Sequence, residues 1–250
     1  MNIKDFFALH SEVAVAFSGG VDSAVLLLLA KKYAKRVKAY YVSSQFQPRF
    51  ELEDAKEVAA LLGAELELLK VDILAFSEVT SNPENRCYLC KTAIFNEICN
   101  ATEADGFSLI LDGTNASDDV DDRPGMRVLA ELSVLSPLRI CGFKKSDVRT
   151  IARENGLPVA DKPSYACLAT RVPYHTQITA EILEKTENCE SELRALGYKN
   201  FRARYADGKA RLELSRADLA NYGKVKRETE EIFSKYYDGY YLDPKERNDE

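Results

Sequence analysis

The segment AFSGGVDSAVLLLLA, from Ala16 to Ala30, constrains the fold more than any other part of the chain. The apolar run VAVAF leads into it and predicts a short buried parallel strand. Two glycines then make a turn, and a helical pattern begins near Asp22 without a gap. Glycines allow backbone angles at which amide N–H groups converge on one anion, and the helix adds its positive end. The segment therefore predicts a phosphate-binding turn.

The residues of this turn favour a nucleotide as the bound anion. The amides of Gly19 and Gly20 are the expected donors to phosphate. Ser18 and Ser23 add hydroxyl donors, and Asp22 is expected to hold magnesium against the phosphates. No Gly-Lys-Ser/Thr follows the glycines, so the turn is not a Walker A motif. SGGVDS instead resembles the PP-loop of the ATP pyrophosphatase superfamily, which implies adenylation of a nucleophile by ATP and release of pyrophosphate. The alternative is an ordinary strand-to-helix turn that contains glycines.

Strand and helix patterns alternate through the first half of the chain. Val37–Val42 and Glu65–Val71 predict strands, each preceded by a helical pattern, and Phe107–Gly113 predicts a further strand with its turn. Strands separated by helices indicate a parallel sheet covered on both faces, with ligands at the carboxyl ends of the strands. We therefore expect an α/β fold, a parallel sheet flanked by helices, over residues 1–165.

The C-terminal part of the chain has a different organisation. Residues 162–173 are predicted to be a loop, and a helix is predicted over Glu181–Leu196. Two alternating runs flank Asp207-Gly208, which is typical of a tight hairpin turn. Further helical patterns and the aromatic run DGYYL complete the pattern. We expect a small α+β domain over residues 166–250.

Composition restricts the partners and the compartment. The 40 acidic side chains outnumber 34 basic ones, so no global positive field attracts nucleic acid. The longest uncharged helical stretch is far shorter than the roughly 20 apolar residues of a membrane span. The N-terminus lacks a secretory cleavage signal, and six cysteines in such a chain indicate a reducing compartment. We expect a cytoplasmic protein that binds neither membrane nor nucleic acid. With two histidines, a multi-histidine metal site is also not expected.

Three cysteines are candidates for chemistry. Cys87 and Cys90 form a Cys-x-x-Cys pair at the start of a helix, which fits half a zinc site, a redox pair or two buried thiols. Cys167 lies between Lys162 and Arg171, whose charges favour a thiolate. Three thiolates leave one iron of a 4Fe–4S cluster open for a substrate or sulfide. The remaining cysteines are expected to be packing residues: Cys99, Cys141 and Cys189.

Two further groups of polar residues are candidates for binding. The loop LDGTNASDDVDDRPGMR follows a predicted strand and therefore lies at the ligand-binding edge of the sheet. Its candidate contacts to ATP, magnesium or phosphate are Asp112, Gly113, Asn115, Asp119 and Arg123. A solvated acidic loop is the alternative. On the predicted hairpin, Arg202 and Arg204 share one face, and with Arg211 they form either a solvated face or a phosphate pocket opposite Glu190.

The ordered series SGGVDS, NRCYLCK, DGTNASDDVDDRPG, CLATRVPY and FRARY…ARLEL resembles the LarE family over nearly the whole chain. These ATP-dependent sulfur transferases help to build the nickel-pincer nucleotide cofactor of lactate racemase. The resemblance implies a nicotinate-derived substrate, pyridinium-3,5-dicarboxylate mononucleotide, whose carboxylates are adenylated and then converted to thiocarboxylates. It assigns sulfur delivery to Cys167. The residues that it assigns to the substrate phosphate are Thr170, Arg171, Glu190, Arg202 and Arg204.

The family has two sources of sulfur. In one, a single cysteine gives up its own sulfur and becomes dehydroalanine. In the other, three cysteines hold a 4Fe–4S cluster whose open iron carries a spare sulfide. Because Cys87, Cys90 and Cys167 occupy the matching places, we favour the cluster. The resemblance also implies a homo-oligomer. The alternatives are a PP-loop tRNA-thiolation enzyme and, among non-enzymes, an adenine-nucleotide sensor or iron–sulfur carrier.

Overall fold

The computed structural model describes residues 1–118 and 124–247. Its helices are, in chain order, α1 (Ile3–Leu9), α2 (Val21–Tyr33), α3 (Arg49–Leu61), α4 (Ser77–Thr80), α5 (Arg86–Ala104), α6 (Pro124–Glu131), α7 (Pro137–Ile140), α8 (Lys145–Glu154), α9 (Ala180–Ala195), α10 (Arg216–Tyr222) and α11 (Lys226–Tyr236). Its strands are β1 (Glu12–Ala16), β2 (Arg36–Ser43), β3 (Leu66–Lys70), β4 (Ile110–Leu111), β5 (Phe201–Ala206), β6 (Lys209–Leu214) and β7 (Tyr240–Leu242). None of the helices in these ranges has both the length and the apolar character needed to cross a bilayer.

The first compact unit comprises Met1–Ile73 and Asn85–Lys162. It contains a parallel four-stranded sheet in the order β3-β2-β1-β4. The middle of strand β1 and most of helix α2 are buried, because a parallel sheet of this kind is covered by helices on both faces. Apolar side chains on several sides of α2 belong to the core. Helix α2 also packs against α1 and α8.

The sheet order creates a switch point beside β1. The chain passes from β1 to β2 on one side and returns to β4 on the other, with Val15 paired to Leu111 across the β1–β4 boundary. Ligands of open α/β sheets bind at the carboxyl ends of the strands at such a point. The glycine turn after β1 and the polar loop after β4 therefore lie at the same edge of the sheet.

The second compact unit comprises Leu74–Glu84 and Pro163–Glu250. It contains a mixed three-stranded sheet in the order β5-β6-β7, in which β5 and β6 are antiparallel and β6 and β7 are parallel. Asp207 and Gly208 both have positive φ, 52° and 83°, as a two-residue hairpin turn requires. Its apolar core lies between this sheet and helices α9 and α11.

These elements confirm the predicted fold class, a parallel α/β sheet with a small α+β unit. Two predictions differ in detail. Within the predicted strand and turn Phe107–Gly113, strand β4 covers only Ile110–Leu111, and the amide of Asp112 bonds to the carbonyl of Leu135. The predicted loop 162–173 contains a 3-10 turn at Leu168–Arg171.

Candidate active site

The glycine turn of the first unit joins β1 directly to α2. Gly19 has a φ of +77°, and a Cβ there would lie 3.0 Å from the Cβ of Ala55, so both conformation and space require glycine. Gly20 has an ordinary φ of −74° and is the N-cap of α2. A hydrogen bond between two hydroxyls stabilises the turn, with Ser18 Oγ 3.1 Å from Ser23 Oγ. The backbone amides of the turn and the positive end of α2 thus face the switch point.

Asp22, in the first turn of α2, has a protein partner on each carboxylate oxygen. Asn115 Nδ2 donates to Oδ1 over 3.0 Å, and Lys145 Nζ donates to Oδ2 over 2.5 Å. Lys145 is the first residue of α8, and its amide bonds to Ser117 Oγ. Lys145 was not among the predicted site residues, because it lies 123 positions from Asp22. The arrangement adds a positive charge beside the glycine turn.

The loop after β4 packs closely on the same turn. A Cβ on Gly113 would lie 2.8 Å from the amide nitrogen of Ser23, so this loop approaches the start of α2 backbone to backbone. The carboxylate of Asp112 accepts hydrogen bonds from the hydroxyls of Thr114 and Ser136, which fix the loop. The remaining candidates of this loop, Asp119 and Arg123, lie outside the described residues.

The donor chemistry of the first unit fits magnesium only in part. Magnesium is commonly bound by one or two carboxylates together with water and substrate phosphates, and Asp22 is a carboxylate of that kind. Over the described ranges 1–118 and 124–247, no group of three or more His, Cys, Asp or Glu side chains is arranged to hold a metal ion. Any magnesium at Asp22 therefore depends on oxygens from the nucleotide and from water.

Cys87 and Cys90 lie in the first two turns of α5, in the first unit. Their spacing of three residues puts both thiols on one side of the helix. Cys87 is exposed and Cys90 half-buried, and Arg86 Nη2 lies 3.9 Å from the Cys87 sulfur. Of the three cysteines expected to pack, Cys189 is buried, whereas Cys99 and Cys141 are half-buried; burial raises the pKa of each of these thiols.

Cys167 belongs to the second unit and directly precedes its 3-10 turn. The carbonyl of Cys167 accepts hydrogen bonds from Thr170 Oγ1 at 2.8 Å and from Arg171 Nη1 at 3.3 Å. Arg171 therefore lies beside the backbone of Cys167. Lys162, the other expected cation, instead bonds to Asp54 within the first unit.

A buried ion pair lies beside this turn. The guanidinium of Arg171 is fully buried and contacts the buried carboxylate of Glu190 through Nε and Nη2. The hydroxyl of Tyr165 and the amide of Ala203 also donate to Glu190. Burial alone would raise the pKa of Glu190, but the charge of Arg171 and these hydrogen bonds hold it below its usual range.

The hairpin arginines have different environments. Arg202 is only 3% exposed and donates to the carbonyls of Phe201 and Ser164, so it is not part of a solvated face. Burial, with the charge of Arg171 second, lowers the pKa of Arg202 to about 10. A buried guanidinium bound to neutral carbonyls is suited to an anion.

The other two hairpin arginines share one acidic partner. Arg204 Nε lies 2.5 Å from Glu213 Oε1, and Arg211 Nη2 lies 2.9 Å from the same oxygen. Arg204 also donates to the carbonyl of Thr170. Glu213 was not among the predicted site residues, although its position opposite Arg202 in the β5–β6 register follows from the hairpin. The carboxylate of Glu213 therefore offsets part of the positive charge of Arg204 and Arg211.

A glycine turn at the switch point of a parallel 3-2-1-4 sheet defines an ATP-using enzyme of the PP-loop, adenine nucleotide α-hydrolase-like class. The family model described as Queuosine biosynthesis protein QueC matches residues 12–93. The chain is 30% identical over 230 residues to the pyridinium-3,5-bisthiocarboxylic acid mononucleotide synthase of Lactiplantibacillus plantarum, covering 90% of this chain and 83% of that protein. The chain therefore belongs to the LarE family, the family of that synthase.

Two further relatives are similar over most of their length. The uncharacterized protein slr1717 of Synechocystis is 37% identical over 215 residues, which cover 85% of this chain and 80% of that protein. The uncharacterized protein MJ0830 of Methanocaldococcus jannaschii is 30% identical over 237 residues, which cover 95% of this chain and 89% of that protein. The similarity thus extends through both compact units.

Proposed function

We propose that this chain is an ATP-dependent sulfur transferase that converts the carboxylates of pyridinium-3,5-dicarboxylate mononucleotide to thiocarboxylates for a nickel-pincer cofactor. The main support is Cys167, which lies on a turn bound by a buried arginine in a chain of the LarE family. The synthase of Lactiplantibacillus plantarum is named for the corresponding bisthiocarboxylic acid mononucleotide. The resemblance further suggests a homo-oligomer, which sedimentation of the full chain would test.

The first unit is suited to the adenylation step. A substrate carboxylate oxygen attacks the α-phosphorus of ATP, and the bond to the bridging oxygen breaks so that pyrophosphate leaves with its electron pair. The amides between Ser18 and Gly20, together with the positive end of α2, stabilise the charge of this leaving group. Gly113 and Asn115 are the further nucleotide contacts in this proposal, and Lys145, whose Nζ bonds to Asp22 beside the turn, would add a phosphate contact. A magnesium ion, when bound, neutralises phosphate charge, and Asp22 would hold it.

The second unit is suited to binding the substrate phosphate and delivering sulfur. Arg202 and Arg204, with Thr170, are the proposed phosphate contacts, while Arg171 and Glu190 hold them in place. Sulfur attacks the acyl carbon of the adenylate, and AMP leaves with the electrons of the broken carbon–oxygen bond. A second round at the other carboxylate gives the dithio product.

For the sulfur source we propose a 4Fe–4S cluster with Cys87, Cys90 and Cys167 as ligands, a set that the family resemblance supports but that the described residues do not bring together as a metal-binding group. Thiolates are the usual ligands of such clusters, and the first two thiols share one side of α5. When bound, the cluster supplies an open iron that can carry a sulfide. In the sacrificial alternative, Cys167 forms a thioester with the substrate. Loss of its α-proton and cleavage of its Cβ–S bond then leave dehydroalanine.

Pyrophosphate release tests the proposal. The full-length protein should release pyrophosphate from ATP only when the pyridinium dicarboxylate mononucleotide is present. Cys167→Ser should keep this release, because adenylation does not need the thiol, but should form no thiocarboxylate. Release that depends on bulk tRNA would instead support a tRNA-thiolation enzyme. ATP binding without pyrophosphate release under any condition would support a nucleotide sensor.

A further inference from the structure

The four residues that end at Cys167 are held by buried arginines rather than by a helix or a sheet. Ser164 and Ala166 are exposed, yet the carbonyls of both accept hydrogen bonds from buried guanidinium groups. Arg202 Nη2 donates to Ser164 over 3.0 Å, and Arg171 Nη1 donates to Ala166 over 2.7 Å. Arg171 also reaches the carbonyl of Cys167. The position of this segment therefore depends on where the two arginines lie.

Tyr165 is the residue of this segment that contacts both arginines and also Glu190. Its ring centroid lies 4.5 Å from the guanidinium carbon of Arg171 and 4.8 Å from that of Arg202, within the range of cation–π contacts. Its hydroxyl donates to Glu190, the carboxylate that also binds Arg171. A shift of either guanidinium would therefore act on the backbone two residues before Cys167.

Of the two arginines, Arg202 is the one that an anion would bind. Its described hydrogen bonds go to the carbonyls of Phe201 and Ser164, which are neutral acceptors. Phosphate is a stronger acceptor because its hydrogen bonds with a guanidinium are charge-assisted on both sides. A bound phosphate would therefore compete with the carbonyl of Ser164 for Arg202.

We infer that Tyr165 is a positioning residue that couples phosphate binding at Arg202 to the placement of Cys167. The inference rests on the proposed function, in which the arginines bind the substrate phosphate and Cys167 takes part in sulfur delivery. The ligand that acts on the coupling is a phosphomonoester, the terminal group of a mononucleotide. Sulfur delivery would then be favoured only while the substrate is bound.

Peptide-resolved alkylation of Cys167 tests the coupling, with inorganic phosphate as the probe. In the full-length reduced protein, we expect saturating phosphate to change the rate of alkylation by iodoacetamide about fivefold, the effect of one hydrogen bond. In Tyr165→Phe, phosphate should still bind by calorimetry, but the response at Cys167 should become smaller, because the hydroxyl bond to Glu190 is lost while the ring still contacts both guanidinium groups. Cys189, which is fully buried in the same unit, reports any general opening of the variant.

Two controls separate coupling from structure. Tyr237→Phe removes another hydroxyl of the second unit, 3.0 Å from Thr186 Oγ1, and should keep the phosphate response. Arg202→Gln should lose the response, which would show that phosphate acts there and not at the glycine turn. An equal response in Tyr165→Phe and the natural protein, or phosphate binding without any change at Cys167, overturns the inference. Pyrophosphate release, measured separately, shows whether the proposed function survives that result.

Discussion

Arg171 and Glu190 form a two-point ion pair inside the second unit. Nε of Arg171 lies 2.8 Å from Oε1 of Glu190, Nη2 lies 3.0 Å from Oε2, and both side chains are at most 1% exposed. Removing one member of such a pair leaves a buried charge without compensation. The pair therefore supports the turn that contains Cys167, whose carbonyl also binds Arg171.

Glu190→Gln should lower the free energy of unfolding by about 3–5 kcal/mol at neutral pH. Because the folded-state pKa of Glu190 lies below its ordinary value of 4.5, the carboxylate stabilises the fold above that pH. This contribution is lost as the pH falls through the folded-state pKa, so the difference between natural protein and variant should narrow in acid. Urea unfolding at several pH values measures this difference in the free energy of unfolding. Glu184→Gln, which changes an exposed residue of the same helix, is the control. A constant difference across acidic pH would contradict the assignment.

Lys145→Met should weaken ATP binding about tenfold or more, because a charged hydrogen bond contributes about 1.5–3 kcal/mol. The change removes the ammonium group 2.5 Å from Asp22, beside the glycine turn. Lys144→Met removes the same charge from the preceding, exposed position and should bind ATP normally. Calorimetric titration with ATP compares the two variants. Equal affinities would exclude Lys145 from the nucleotide site.

Gly113→Ala should impair pyrophosphate release. The added Cβ would lie 2.8 Å from the amide nitrogen of Ser23 and 3.1 Å from the backbone of Asp22, so the start of α2 must move. Gly223→Ala is the matched control, since a Cβ there meets nothing within 4 Å and its φ is −59°. Steady-state pyrophosphate assays should show a loss for Gly113→Ala alone. A fully active Gly113→Ala would contradict the close packing of this loop on the turn.

Cys87→Ala should abolish iron binding and leave ATP binding nearly unchanged, because the glycine turn lies elsewhere in the first unit. Cys99→Ala changes a half-buried thiol at the other end of the same helix and should keep the iron. Iron and acid-labile sulfide are measured on protein purified without oxygen, where about four irons per chain are expected. An unchanged iron content in Cys87→Ala would contradict the cluster proposal. A natural protein that holds no iron and forms dehydroalanine at Cys167 would instead support the sacrificial route.

The sequence predicts those features that depend on neighbouring residues. The glycine turn is one, since Gly19 needs a positive φ and α2 follows at once. The hairpin at Asp207-Gly208 is another, because few residue pairs suit its turn. Both features were predicted with the correct local geometry because their causes lie within a few residues of the chain.

Features that depend on contacts between distant parts of the chain were not predicted. Lys145 meets Asp22 only because α8 packs against α2, far from it in sequence. The segment Leu74–Glu84 joins the second unit through contacts such as that of Asn82 with the carbonyl of Pro173. The burial of Arg202 likewise could not be read from alternation, since a strand pattern does not say which face is covered.

The most direct test of the central claim is the mass of the mononucleotide product. The protein, purified without oxygen, is incubated with ATP, magnesium and pyridinium-3,5-dicarboxylate mononucleotide. The small molecules are then separated, and their masses are measured by mass spectrometry. We expect a product in which sulfur has replaced carboxylate oxygen, formed together with AMP and pyrophosphate. Consumption of ATP with no sulfur in the mononucleotide, or no consumption of ATP at all, would contradict it.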